Sequence, residues 1–318
     1  MSTATATATR RAPSTRTTGI LAVVGVVVVF SLGSTLVKRA HTPGVLVAFW
    51  RMITTTIVWN AILIGTGKRP SWANIKQAFL PGIFFGLNIT AFYAGATHNS
   101  VANAELIGSL TPFLVVPIGA RFFKEYINPR ALGFAVVAFG GVAIVLFTAP
   151  SSGDASAKGN VFGLLSMILW ATYIATTRHF RRQMDVASFM AAITPIAALT
   201  VLPLALWNGG LTTVSATGWR YILLLTFVTG VGAHGLMVFA QKTIPIGTIG
   251  IAQVAQPALA AVWSFLLIGE TLHAWQFVGM ALVLGGLFAF VVLNQRGAGR
   301  RHVVNETGIA TEGSGATV

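Results

Sequence analysis

The stretch VANAELIGSLTPFLVVPIGARFFKEYINPRALGFAVVAFGGVAIVL, residues 101–146, decides how the chain is read, because its pattern occurs twice. Pro112 lies inside an apolar run, Glu125 comes thirteen residues later, and Gly140-Gly141 lie inside the next run. Residues 246–291, IGTIGIAQVAQPALAAVWSFLLIGETLHAWQFVGMALVLGGLFAFV, carry the same marks as Pro257, Glu270 and Gly285-Gly286, each offset by 145 residues from its counterpart. A repeat of this length, set in long hydrophobic runs, marks a duplicated membrane protein.

Working outward from the two copies, apolar runs fall at about 19–37, 44–64, 78–97, 101–122, 130–148, 159–177, 186–206, 219–241, 246–268 and 274–293. Each approaches the roughly 20 residues with which a helix crosses about 30 Å of hydrocarbon. Helix is the expected form, because backbone polar groups in lipid must be satisfied within the segment. The runs also lack the alternation of a membrane barrel. The fold expected is an all-α membrane protein of ten helices in two inverted five-helix repeats. The first repeat is 19–148 and the second 159–293, joined by a periplasmic or extracellular linker at 149–158. Polar tails at 1–18 and 294–318 are expected to be disordered and cytoplasmic.

Composition supports this reading. The chain is 54% hydrophobic and 9% charged, with a mean hydropathy of +0.76, whereas a soluble domain carries about 25% charged residues. The net charge of +14 is a topology signal rather than a nucleic-acid footprint, because the basic residues cluster in short segments between apolar runs. With both tails inside, cytoplasmic segments hold 16 of the 21 Lys and Arg, including Arg121, Lys124 and Arg130 after Pro112. The loop after Pro257 holds none, so one motif faces in and its copy faces out. The chain is placed in the cytoplasmic (inner) membrane with both termini cytoplasmic. An inverted repeat of this kind gives alternating access to a central site by exchanging the conformations of its halves. There is no Cys, which leaves no disulfide or thiolate site. The first run is read as retained, since Lys38-Arg39 follow it without a cleavage pattern.

Several residues carry further resemblance. Phe92-Tyr93-Ala94, Leu110-Thr111-Pro112 with Glu125, Gln256-Pro257 with Gly269-Glu270-Thr271, and both Gly-Gly steps resemble the EamA repeat of the drug/metabolite transporter superfamily. Trp170-Ala171-Thr172-Tyr173 is similar to that family's aromatic pattern opening the second half. The chain departs at Phe123-Lys124-Glu125, where Gly-Glu is common, and at Gly33, where Trp-Gly is usual. The resemblance covers nearly everything between the tails. It implies ten helices and transport of small metabolites, often outward, and no particular substrate.

Candidate site residues follow from polarity inside lipid. Glu105 is the one acidic residue well inside an apolar run, and Arg51 also lies within one. Both sit roughly 6–11 Å into the outer half at 1.5 Å per residue. Ionisable groups at such depth face a partner or a water-filled path. Glu105 and Arg51 are expected either to pair with each other or to meet a substrate ammonium and carboxylate. Gly250 occupies the place of Glu105 in the second copy, so this chemistry is not duplicated. Asn88, Thr111, Trp170, His234 and Gln256 lie about halfway along their runs, where inverted-repeat transporters hold substrate. Ser166, Trp170, Tyr173 and Thr177 share one helix face, equally suited to a cavity wall or a helix seam. His234 is a candidate proton carrier, although interhelical hydrogen bonding explains such a residue as well.

Pro112 and Pro257 cannot donate to the carbonyls of Gly108 and Gln253, which predicts matched kinks that act as hinges or expose those carbonyls to ligand. Gln253 therefore joins the candidate substrate-binding set. Gly82–Gly86 and Gly159–Gly163 read as close-packing steps. Glu125 and Glu270 read as helix-end capping groups.

The function expected is secondary transport of small polar, amino-acid-like metabolites, and the family resemblance implies the outward direction. The alternative is uptake, or sugar or nucleotide-sugar exchange. A nucleotide-driven pump would need GxxxxGK[ST], and a zinc hydrolase would need HExxH; neither occurs. No enzyme activity, cofactor or metal is expected. Expected partners are a small-molecule substrate and the bilayer; nucleic acid is not expected, and a homodimer is left open.

Overall fold

The computed structural model describes residues 15–98, 101–148, 156–181, 184–207, 211, 214–268 and 273–312. Among these residues there is no strand. The helices are α1 Thr15–Phe30, α2 Gly33–Arg39, α3 Gly44–Gly65, α4 Trp72–Thr97, α5 Val101–Ser109, α6 Pro112–Phe123, α7 Pro129–Phe147 and α8 Ala157–Phe180. They continue as α9 Val186–Trp207, α10 Ala216–Leu225, α11 His234–Ala240, α12 Ile246–Ala252, α13 Gln256–Ile268 and α14 Ala274–Glu312. A π-helical segment, Thr226–Ala233, joins α10 to α11, and a 3-10 turn, Gln253–Ala255, joins α12 to α13.

Among the described residues, eight helical stretches are long and apolar enough to cross a membrane, and two shorter apolar helices lie at Ile107–Phe123 and Pro129–Val145. The bundle is coated with large apolar side chains: Trp207 is 91% exposed and Phe147 82%. Water does not tolerate such a continuous coat and hydrocarbon does. The protein is a multi-pass membrane protein. Hereafter the tail face is the end of the bundle carrying Lys68, Glu125, Arg178 and Lys242. The linker face is the end carrying His41, His98 and Ser156.

Helix ends are built as the sequence dictates. Ser156 Oγ accepts from Gly159 N at 2.9 Å to cap α8, and Ser215 Oγ accepts from Gly218 N at 3.0 Å to cap α10. Asp185 caps α9, its Oδ1 accepting from Ser188 N at 3.0 Å and its Oδ2 from Ser188 Oγ at 2.8 Å. The last helix departs from expectation. The run ends near 293, yet α14 continues as helix to Glu312 instead of giving way to an irregular tail. Residues 1–14, 149–155 and 313–318 lie outside the described part, as does Glu270.

The halves interleave through reciprocal contacts. Pairs α4–α8, α1–α11, α3–α9, α6–α12 and α7–α14 carry the packing. At the α7–α14 seam a Cβ on Gly141 would lie 2.6 Å from Gly279 O and 2.8 Å from Val283 N. A Cβ on Gly286 would lie 2.8 Å from Phe134 O and 3.0 Å from Ala138 N. These are the same contacts shifted by the repeat period, as an approximate two-fold axis through the seam requires. One glycine of each pair lets two backbones touch; Gly140 and Gly285 meet nothing within 4 Å. Gly82 and Gly86 bring α4 against Ile196 and Ala197 of α9, and Gly159 and Gly163 receive Gly95 of α4.

Both prolines interrupt their helices. Pro112 opens α6 after a break at Leu110–Thr111, and the Gly108 carbonyl it cannot reach accepts from Thr111 N at 3.1 Å and Thr111 Oγ1 at 2.7 Å. Before Pro257 the Gln253 carbonyl accepts from Gln256 N. The matched breaks are as expected, but both carbonyls are occupied by the residue preceding the proline. Each break thus has a carbonyl that already accepts within its own turn.

Candidate substrate site

A cavity of about 110 Å³ lies where the two proline breaks, α1, α3, α4, α8 and the π-helical segment converge. Gly95, Ala96 and Gly159, at the linker end of α4 and α8, belong to its wall, and no lining residue lies at the tail end of a span. The cavity is therefore biased to the linker face.

Eight of the candidate residues meet there: Glu105, Arg51, Asn88, Thr111, Trp170, His234, Gln253 and Gln256. They come from helices separated by up to 205 positions, Arg51 to Gln256, and the fold brings them to one space. Trp170 Nε1 donates to Gln253 Oε1 at 3.1 Å, tying the wall of α8 to the second break, while Gln253 Nε2 has no partner. Asn88 Nδ2 donates to Ser166 O at 2.9 Å and Ser166 Oγ at 3.0 Å, which spends its donor on the α4–α8 seam. His234 sits in an aromatic cage, its ring 4.6 Å from Phe85 and 4.8 Å from Phe30, and its Nδ1 is unpartnered.

The charges are the most telling feature. Glu105 is 7% exposed and accepts from Ser34 Oγ at 2.6 Å. Arg51 is 1% exposed, and its guanidinium lies 5.5 Å from the Tyr93 ring centroid. Its Nε and Nη2 have no hydrogen-bond partner among the described residues. No ion pair joins Arg51 to Glu105 among the described residues, so the structure does not form the expected pair. A buried acid and a buried base share one cavity with their charges uncommitted to each other. At Gly250, the counterpart of Glu105, a Cβ would stand a tight 3.3 Å from Val115 as α12 packs on α6.

The sequence profile of the EamA-like transporter family matches residues 17–147 and again 157–292. The chain belongs to the EamA-like transporter family. It is 24% identical to the pseudopaline exporter CntI of Pseudomonas aeruginosa over 84% of this chain and 93% of that protein. It is 25% identical to the threonine/homoserine exporter RhtA of Salmonella typhimurium, over 80% of this chain and 83% of that protein. A solved crystal structure with 17% sequence identity superposes at a TM-score of 0.73, covering 87% of this chain and 98% of the other. That likeness concerns the fold.

Within this EamA-like chain one candidate does not reach the cavity. Tyr173 is fully buried behind the wall, stacked 5.0 Å from Phe85 and 5.2 Å from Trp170. The face shared by Ser166, Trp170, Tyr173 and Thr177 thus divides into wall (the first two) and interior (the last two). Conversely, Phe30, Phe92, Tyr93, Met167 and Thr229 line the cavity without having been singled out for a binding role. Tyr93 was visible only as part of a motif. Thr229 had no signal, because it faces inward through the π-helical segment, a register that a 3.6-residue period does not anticipate.

A second set of contacts joins the elements at the tail end. Glu125, whose side chain is 5% exposed, accepts from Ile246 N at 3.0 Å and Gly247 N at 3.2 Å at the start of α12. Arg178 approaches Glu125 to 3.5 Å and donates to Ile244 O at 3.4 Å. Lys68 and Asp185 pair at 2.7 Å across the halves. Burial raises the Asp185 carboxyl, but hydrogen bonds from Lys68 and Ser188 outweigh it and hold the group well below the usual carboxylate range.

Proposed function

We propose that this protein is a ten-span secondary transporter that exports small zwitterionic, amino-acid-like metabolites by alternating access. The observation that carries the reading is a cavity lined by an acid and a base, Glu105 and Arg51, that do not pair with each other. A solute bearing an ammonium and a carboxylate matches Glu105 at one point and Arg51 at another, and it leaves neither group facing lipid unpaired. Neutral donors and acceptors at Gln253 and Gln256, with the Trp170 and Phe30 rings, supply the remaining wall. The positive-inside bias supports a cytoplasmic tail face, which puts the cavity nearer the outer face. Export of pseudopaline by CntI and of threonine and homoserine by RhtA supports outward transport of small metabolites here.

The test compares metabolites in the medium of cells carrying this protein, the Glu105→Gln variant, or an empty vector. A zwitterionic compound enriched with the wild type and not with the variant is expected. Equal media, with the protein shown to be in the membrane, would remove the export reading.

A further inference from the structure

Thirteen buried side-chain nitrogen or oxygen atoms lack a hydrogen-bond partner among the described residues. Native proteins leave few such atoms, so each group of them asks for a ligand, water or an alternative conformation. Arg51, His234 and Gln253 account for part of the set and line the cavity. Nine others do not, and five of these belong to three residues: Thr177 Oγ1, Nε and Nη2 of Arg181, and both polar side-chain atoms of Gln241. These three residues lie toward the tail face, Arg181 capping the end of α8 and Gln241 the end of α11.

Their placement forms a line. Tyr173, Thr177 and Arg181 recur every four residues along α8, starting one turn below Trp170 of the cavity wall. From Trp170 to Arg181 the helix descends about 16 Å at 1.5 Å per residue. The Tyr173 and Thr177 hydroxyls approach each other without a regular hydrogen bond. Gln241 begins the turn whose Ile244 carbonyl receives Arg178, so that turn abuts the same end of α8.

Arg181 is 3% exposed, and the acids described at this end are already engaged. Glu125 serves Ile246, Gly247 and Arg178; Asp185 serves Lys68 and Ser188. Burial pushes the Arg181 guanidinium down to about 10, Tyr173 opposes the shift and neighbouring Arg178 adds to it. It remains a cation at neutral pH, and Asp185, whose charge reaches it, is already engaged by Lys68 and Ser188. A phospholipid headgroup is a poor match for a side chain hidden from the bundle surface.

We infer that Arg181, with Thr177 and Gln241, is a tail-face subsite for an oxyanion, the carboxylate of the transported solute, hidden in this conformation and opened in the opposite one. The inference rests on the transporter reading. A solute entering from the tail face meets Arg181 first, passes Thr177 and Tyr173, and reaches the cavity where Arg51 takes over the same carboxylate. The closing contacts of Glu125 and Arg178 lie beside this path, so their release and the exposure of Arg181 belong to one movement.

The natural absence of Cys supplies the experiment. Full-length Thr177→Cys and Gln241→Cys proteins are reconstituted in vesicles of both orientations. They are treated with the anionic reagent MTSES and the cationic reagent MTSET, with rates normalised to free cysteine and His179→Cys as the exposed control. Both buried positions are expected to react from the tail face, with a preference for the anion on the order of tenfold. Arg181→Gln should abolish that preference and Arg181→Lys should keep it. If the control labels while neither buried position does, or if the preference survives Arg181→Gln, the inference fails. A normal labelling pattern in a protein that exports nothing would instead count against the transporter reading and leave the oxyanion site standing.

Discussion

Glu125→Gln tests whether this carboxylate holds the tail face closed. In the structure this carboxylate spans two backbone N–H groups of α12, 3.0 and 3.2 Å away, and faces Arg178 at 3.5 Å. Hydrogen bonds to a charged group contribute about 1.5–3 kcal/mol each, and loss of a helix-capping acceptor costs about 1 kcal/mol. Glutamine keeps one acceptor oxygen but turns an NH2 toward a donor. The closed conformation should therefore lose about 2–3 kcal/mol overall. At 1.4 kcal/mol per factor of ten, the open-to-closed ratio at this face rises roughly 30- to 150-fold. Spin labels at the exposed Arg121 and Lys242 report on it, because they flank Glu125 and the start of α12 on the two tethered elements. The wild type should give one short distance by pulsed electron resonance. Glu125→Gln should add a longer population, with a lower melting temperature in detergent. Identical distance distributions and identical melting would show that Glu125 holds nothing closed, and the reasoning from its hydrogen bonds would be wrong.

Three further outcomes are expected. Gly141→Leu should lower thermal stability by about 1–3 kcal/mol through overpacking, since its Cβ would strike the Gly279 carbonyl, whereas Gly140→Leu, with open space, should melt like the wild type. Equal losses in both would refute the seam. Pro257→Ala restores a donor for the Gln253 carbonyl and should leave insertion and melting intact while slowing solute turnover; unchanged flux would remove the hinge role. Asp185→Asn should lower the melting temperature at neutral pH. Because the folded-state carboxyl titrates below its unfolded value of about 3.9, its contribution is complete above that pH and disappears as the pH falls through the folded value. The gap between variant and wild type should therefore close below about pH 4, and a gap independent of pH would disprove the Lys68–Asp185 linkage.

Much of the fold was legible in the residues. Start and end points of the apolar runs agree with the helices to within a few residues for α3, α7 and α9, because insertion in lipid depends on the local density of apolar side chains. The positions of Pro112 and Pro257 foretold both breaks, since a missing N–H acts on its own turn. Glu105 and Arg51 stood out because a charge in an apolar run is conspicuous wherever it lies. Tyr93, Thr229 and Phe30 were not conspicuous, being ordinary residues in helices full of them.

What the sequence determined by itself was whatever is local or periodic: apolar spans, a repeat of 145 residues, matched proline breaks and the bias of basic residues. The tertiary structure alone decided which of two glycines touches its partner helix, that Glu125 reaches the backbone of α12, and that Glu105 answers to Ser34 while Arg51 faces Tyr93. The reason is physical. Hydrophobicity and backbone donors act within a turn or two of the residue that carries them, whereas a binding site is a set of distances between groups far apart in the chain.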